Sequence, residues 1–198
     1  GDNLNLPGYE ADVATWVHWS ATYDIFTNLQ VVFRDGILVK EREAGGSLVL
    51  GSDKTILIGA STVKGKTGNF FKGKLDELRL WSKALTSSAV SANFDKQVEE
   101  SSSLMTSFTF DNAEEIAEDA TGTFYGLGKA PVLIGTITPL EGDGGQLSTT
   151  SRGAAQFSGS PKAIVKMVPS KSLNMNETSF TIQTWVKRGG ANKNDPII

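Results

Sequence analysis

Cysteine is absent from these 198 residues, and histidine occurs once, at position 18. The first absence excludes disulfide staples, thiolate zinc sites and cysteine nucleophiles. The second leaves His18 without a histidine partner for zinc, and no serine-nucleophile motif stands near it, so a packed, hydrogen-bonded role is its simpler reading. No apolar run approaches the ~20 residues a membrane helix needs, so membrane insertion is not expected. No basic-then-apolar leader follows Gly1, so any export signal is expected outside these residues or already removed. The net charge is -3, the pI is near 5.3 and the basic residues are scattered, which gives no electrostatic footprint for nucleic acid or an anionic membrane. No glycine-rich phosphate loop stands between a strand and a helix.

What is present is a soluble composition with 39% apolar residues, enough to bury the core of one large or two small domains. Short apolar, β-branched runs alternate with turn residues. Leu29 to Phe33 and Ile37 to Val39 are joined by Arg34-Asp35-Gly36, and Asp-Gly between such runs predicts a hairpin because glycine tolerates positive φ. Further strands are predicted at Leu48 to Leu50, Thr55 to Gly59, Gly73 to Trp81, Thr106 to Phe110, Gly153 to Phe157, Ala163 to Val168 and Phe180 to Lys187. Such spacing predicts an all-β, antiparallel sandwich. One short helix is expected at Thr86 to Phe94, with hydroxyl residues to cap it. Asn112 to Asp119 reads as an acidic loop, and residues 130–152, rich in Gly, Thr and Pro, as a surface excursion.

The order of the parts carries the most information. Trp16, His18, Ala21, Thr22, Tyr23 and Asp24 are followed by Asp35-Gly36, and then by Gly73, Leu75, Asp76, Glu77, Arg79, Trp81, Ala84 and Leu85. That series resembles the closing half of a laminin G-like, or concanavalin A-like lectin/glucanase, domain. Phe110-Asp111, Gly153 to Gly159 and Phe180 to Lys187 (FTIQTWVK) resemble the opening half of the same family. The closing half stands first, and the strands that normally join the two are missing. The resemblance therefore implies a jelly-roll sandwich in two half-domains or circularly permuted. Residues 1–98 are expected to be the C-terminal part of one domain, 99–103 (EESSS) a linker, and 104–198 the N-terminal part of a second. In the permuted alternative the two halves pair with each other.

The chemistry is sparse. Alternation along a strand puts Asp76 and Glu77 on opposite faces, which disfavours a two-carboxylate hydrolase. The resemblance implies structural calcium, a hard cation that takes oxygen ligands, with Asp76 and Asp111 as candidate ligands and Asp119 or Asn112 completing the shell; in the blander reading the two aspartates bond backbone amides at a sheet edge. For glycans, which need an aromatic plane beside polar groups, the candidates are Trp81, Trp185, Tyr125 and Tyr9, although most tryptophans of a sandwich fill its core. Asn176-Glu177-Thr178 is a glycosylation sequon. The resulting expectation is a non-enzymatic module of a multi-repeat extracellular adhesion or surface-structure protein. Its partners would be glycan, extracellular protein, or neighbouring laminin G-like modules or protomers. An accessory carbohydrate-binding module of a secreted glycoside hydrolase is the alternative.

Overall fold

The computed structural model describes residues 12–46, 55–63, 65–98, 101–112, 132–141, 144–145, 153–161, 163–167, 175 and 178–190. Its elements are β1 (Trp16–Asp24), β2 (Leu29–Arg34), β3 (Ile37–Glu43), β4 (Ile56–Ile58), β5 (Ser61–Val63), β6 (Lys66–Gly68), β7 (Lys72–Trp81), α1 (Ser87–Asn93), β8 (Leu104–Phe108), β9 (Val132–Gly135), β10 (Thr138–Glu141), β11 (Gly153–Ser158), β12 (Ala163–Met167) and β13 (Phe180–Arg188). An eight-stranded sheet runs β10-β11-β7-β13-β1-β2-β3, with β8 also paired to β7, and a three-stranded sheet runs β4-β12-β9. The strand ladders are antiparallel, as the all-β sandwich requires.

The large sheet is assembled from both ends of the chain. β7 pairs with β13 along one edge and with β11 and then β8 along the other. β13 also pairs with β1 over an unbroken register from Trp16↔Lys187 to Tyr23↔Phe180. The two segments that resemble a domain's end and a domain's beginning thus share one sheet within this chain. Of the residues expected as a linker, 101–103 form a tight turn in which Leu104 N donates to Ser101 O at 2.9 Å and Ser82 N donates to Ser103 O at 2.8 Å.

Local sequence explains most elements. Asp35 and Gly36 turn the β2–β3 hairpin with φ of +50° and +75°, the paired positive values that a tight hairpin demands. A Cβ on Gly36 would also lie 2.6 Å from the Phe94 ring, so glycine is required there twice over. Thr86 caps α1 by accepting from Ala89 N at 3.2 Å, and Val90 on the inner face is fully buried. Residues 130–152 depart from the expected excursion: β9 pairs with β12 and β10 with β11. Val132-Leu133-Ile134 is itself a strand-forming run, and its Gly, Thr and Pro surroundings masked it. Pro139 is tolerated because β10 is an edge strand. The strand expected at 48–50 lies outside the described residues.

Both faces of the large sheet are covered. Leu75, Leu78, Leu80, Val186 and Phe108 pack with Ile58, Ala163, Val165 and Met167 of the small sheet, forming the sandwich core. On the opposite face Val31, Phe33, Trp81, Leu85, Val90 and Leu104 form a second cluster beneath α1. Burying a leucine and truncating it to alanine costs about 2–5 kcal/mol, depending on how far the cavity relaxes. Leu80→Ala, at a residue 2% exposed, is therefore expected to lower the urea midpoint substantially. Because β7 is bonded only to strands from the later part of the chain, wild type and variant should each unfold in one transition by fluorescence and by far-ultraviolet dichroism. Two separated transitions would show that the segments fold independently.

Candidate functional site

The central strands align an unusual number of polar side chains on the face beneath α1. The β1–β13 register places His18 beside Trp185, Ser20 beside Gln183 and Thr22 beside Thr181, and the β13–β7 register continues to Arg79 and Trp81. All of these are buried, with Gln183 and Thr181 at 0% and His18 and Arg79 at 1% exposure. Buried polar groups are stable only when bonded. A chain of bonds answers this: Trp81 Nε1 donates to Gln183 Oε1 at 2.8 Å, Gln183 Nε2 donates to Ser20 Oγ at 3.1 Å, and Ser20 Oγ lies 3.5 Å from His18 Nδ1. Thr181 Oγ1 donates to Lys83 O and accepts from Leu85 N, both at 2.8 Å, fastening the segment that follows β7 across the face.

Arg79 is the buried cation of this face. Its Nη2 donates to Glu77 Oε2 at 2.8 Å and to Lys96 O at 2.9 Å. Burial pushes the Glu77 carboxyl up from its ordinary range, the Arg79 ion pair and hydrogen bond oppose that shift, and the nearby Asp111 charge adds to it. Burial, reinforced by Arg79, pushes His18 down to about 3, so the ring is neutral. Ser20 Oγ, which accepts from Gln183, faces His18 Nδ1, and the other ring nitrogen is Nε2. That atom and Trp185 Nε1 are both buried without a hydrogen-bond partner, and the two rings meet edge to face at 5.5 Å.

Strict alternation fails at the acidic pair. Glu77 has φ of +48°, and the β7–β13 register shifts between Gln183 and Trp185, so a bulge sits at the pair. Glu77 and Arg79 share a face by ordinary alternation, and the bulge instead breaks the alternation between Asp76 and Glu77: Leu75 and Leu78, three residues apart, both pack in the sandwich core, so the acidic pair does not point to opposite faces as expected, and Asp76 stands opposite Trp185. Asp76 is 0% exposed; its Oδ1 accepts from Glu77 N at 2.8 Å and its Oδ2 from Gly145 N. No signal short of the three-dimensional register reveals this bulge.

The candidate residues fall in different places. Trp81 and Trp185 are 4% and 3% exposed, Trp81 within the cluster beneath α1 and Trp185 covered by Gly145, so neither ring faces solvent. Asp76 is wholly buried, whereas Asp111 and Asn112 are exposed. Asp119, Tyr9, Tyr125 and Asn176 lie outside the described residues, although Thr178 of the sequon is exposed. Among the described residues no group of three His, Cys, Asp or Glu is placed to hold a metal ion. Asp76, with an amide on each oxygen, does not fit a hard-cation shell as it stands. Sequence reasoning missed the bond between Ser20 and Gln183, because their meeting depends on pairing between distant strands, and the ion pair of Glu77 with Arg79, although their spacing of two on one strand was a signal for it.

Residues 3–91 match the Laminin_G_3 family, described as concanavalin A-like lectin/glucanases superfamily. The likeness covers that segment, somewhat less than half of the chain. The match runs from before β1 through β7 into α1, and the FTIQTWVK strand lies beyond it. No curated protein and no solved structure matches the chain. A laminin G-like domain of this kind is in general a carbohydrate-binding or protein-binding unit. No helix among the described residues is long and apolar enough to cross a membrane.

The sign of the His18 effect on stability follows from its depressed pKa. The unfolded chain protonates His18 below about 6.5, whereas the folded laminin G-like unit keeps it neutral down to about 3. The unfolded state therefore binds more protons in that window, and stability falls as pH drops from 6.5 towards 3. Glu77 acts in the opposite sense, since its raised folded pKa removes stability as pH rises past its ordinary 4.5. The urea midpoint of wild type is expected to decline as pH falls below 6.5, the direction that His18 imposes and Glu77 opposes. His18→Gln should flatten that decline, and an unchanged slope would remove His18 as its source.

Proposed function

We propose that the chain is a non-enzymatic binding module of a multi-repeat extracellular adhesion or surface-structure protein, taking a glycan or a neighbouring protein at the sandwich rim or edges. The observation that carries this reading is the covering of the polar sheet face. Lys83, Leu85 and Lys96 are bonded down onto Thr181 and Arg79, and Glu77 is committed to an ion pair. Carboxylates held this way are poorly placed for general acid and base work on a polysaccharide. Contact with a ligand then falls to the turns and edges. The β3 edge carries Lys40-Glu41-Arg42-Glu43, mixed charges that discourage indiscriminate strand addition.

In a multi-repeat chain, residues 1–98 would end one module and residues 104–198 would begin the next. The pairing of β13 with β7 and β1 within this chain is the arrangement of the permuted alternative; in a tandem array the same strand edges would pair with neighbouring modules or protomers. An extracellular location accords with the sequon and the family, and would let Asn176 carry a glycan. The test is binding without turnover: the chain should be retained on an immobilised polysaccharide or extracellular-matrix protein and should release no reducing ends on prolonged incubation. Liberation of reducing sugar would overturn the non-enzymatic reading.

Structural calcium belongs to the same proposal, with Asp111, Asn112 and Asp119 as the oxygen donors in preference to the amide-bonded Asp76. Calcium is expected to raise the thermal midpoint, and Asp111→Asn to abolish that rise. Equal midpoints with calcium and with chelator would remove the ion from the proposal.

A further inference from the structure

The strand registers line up lysines at one corner of the large sheet. Lys74 of β7 lies opposite Lys187 of β13 on one side and Gln156 of β11 on the other, and Lys187 lies opposite Trp16 of β1. Residues directly opposite in antiparallel strands share a face. Lys187 follows Trp185 by two residues, so this row is on the face that carries Trp185 and His18. Lys72, two residues before Lys74 and opposite Ser158, widens the row into a patch. Lys72, Gln156 and Ser158 are exposed and Lys74, Lys187 and Trp16 half-buried, so this corner meets solvent where the middle of the face is covered. The Lys187 ammonium stands over the Trp16 ring, 5.9 Å from its centre.

Like charges directly opposite across a ladder are unfavourable. Among the described residues no carboxylate belongs to the rows of Lys72 and Lys74. The diagonal corner of the same face has the complementary pattern. Alternation along β3 puts Glu41 and Glu43 on one face and Lys40 and Arg42 on the other. Glu41 stands opposite Val31 and Glu43 opposite Leu29, residues of the cluster beneath α1, so the glutamates share the face of the lysines. Both are exposed, and Asp24, also opposite Leu29, adds a third carboxylate. The row of Trp16 and the row of Asp24 are the two ends of β1, about 27 Å apart, and β7 is four strand spacings, about 19 Å, from β3. The corners are therefore separated by well over the screening length of about 8–10 Å and do not neutralise each other within one chain.

We propose that the lysine corner docks the glutamate corner of a second copy of this chain. Glu41 and Glu43 repeat at the spacing of Lys72 and Lys74, two residues or about 6.8 Å along a strand, so both carboxylates of an arriving β3 meet both ammonium groups of β7 at once. Lys187, steadied over Trp16, borders the same contact. The contact is heterologous, since each surface differs from the one it meets, and every added copy brings a further corner of each sign for the next. An open chain of copies follows. The inference rests on the reading of a module that meets its neighbours, and names the neighbour and the surface. Exposed ion pairs are weak singly, so the dissociation constant is expected to be about a millimolar, a concentration that linked modules supply to one another.

The test follows the mass of the full chain by small-angle scattering up to about 1 mM protein, in about 20 mM and about 300 mM salt. The apparent mass is expected to rise with concentration in low salt and to return to that of one chain in high salt. Lys72→Glu with Lys74→Glu, and separately Glu41→Lys with Glu43→Lys, should each weaken self-association about tenfold. The variant carrying all four reversals has the wild-type net charge and should associate again, because its corners match in the opposite sense. The glutamate reversals lie at exposed positions of an edge strand, so they decide the matter by themselves if the β7 reversals unfold the chain. A wild-type chain that stays single in low salt would overturn the proposal while leaving retention on glycan or on other extracellular proteins, and with it the binding-module reading, intact. Association that survives either pair of reversals, or that all four together fail to restore, would assign the contact to another surface.

Discussion

Strand β7 must satisfy the hydrogen-bonding groups on both of its edges, and its partners all come from the later part of the chain. A buried backbone group left unpaired costs about as much as a lost hydrogen bond, so this demand is hard to relax. Everything else follows from it. β13 is drawn between β7 and β1; its Ile182 and Val186 face the small sheet, while Thr181, Gln183 and Trp185 are committed to the other face. The sandwich core and the cluster under the helix form on opposite sides of the same ten-residue strand.

That arrangement carries an energetic burden on the polar side. A buried ion pair such as Arg79–Glu77 contributes little net stability over well-packed apolar residues, yet breaking it by removing one partner is costly. The bulge at Glu77, with its positive φ, is bonded through Asp76, whose Oδ1 accepts from Glu77 N and whose carbonyl accepts from Thr184 Oγ1, while Arg79 ties the Lys96 carbonyl to the same face. The unpartnered Nε2 of His18 and Nε1 of Trp185 mark where this network is incompletely satisfied. Closing the sheet's polar face in this way moves the opportunity for recognition outward, to the turns at the ends of the strands.

How much was legible in the sequence depended on range. The β2–β3 hairpin was legible because Asp35-Gly36 supplies its turn within two residues, and α1 because Thr86 and the Val90 stripe are local signals. β9 and β10 were not, since their turn-rich surroundings outweigh a short apolar run until β12 and β11 are there to pair with them. The tryptophans illustrate the same division. Trp81 and Trp185 read as candidates for a sugar platform, but their exposure is a property of what is packed on them, namely the cluster beneath α1 and Gly145.

The sequence alone determined the class of the fold and the family likeness of residues 3–91: period-two apolar patterning and turn residues specify antiparallel strands, and the ordered motifs from Trp16 to Leu85 carry the match to concanavalin A-like sandwiches. These are local properties, readable from neighbours a few residues apart. Only the tertiary structure decided that the segments on either side of residue 100 share one sheet, that Asp76 is spent on backbone amides, and that Glu77 meets Arg79 under a covering loop. The shared sheet depends on register between strands roughly a hundred residues apart, where a shift of one residue turns every side chain to the other face.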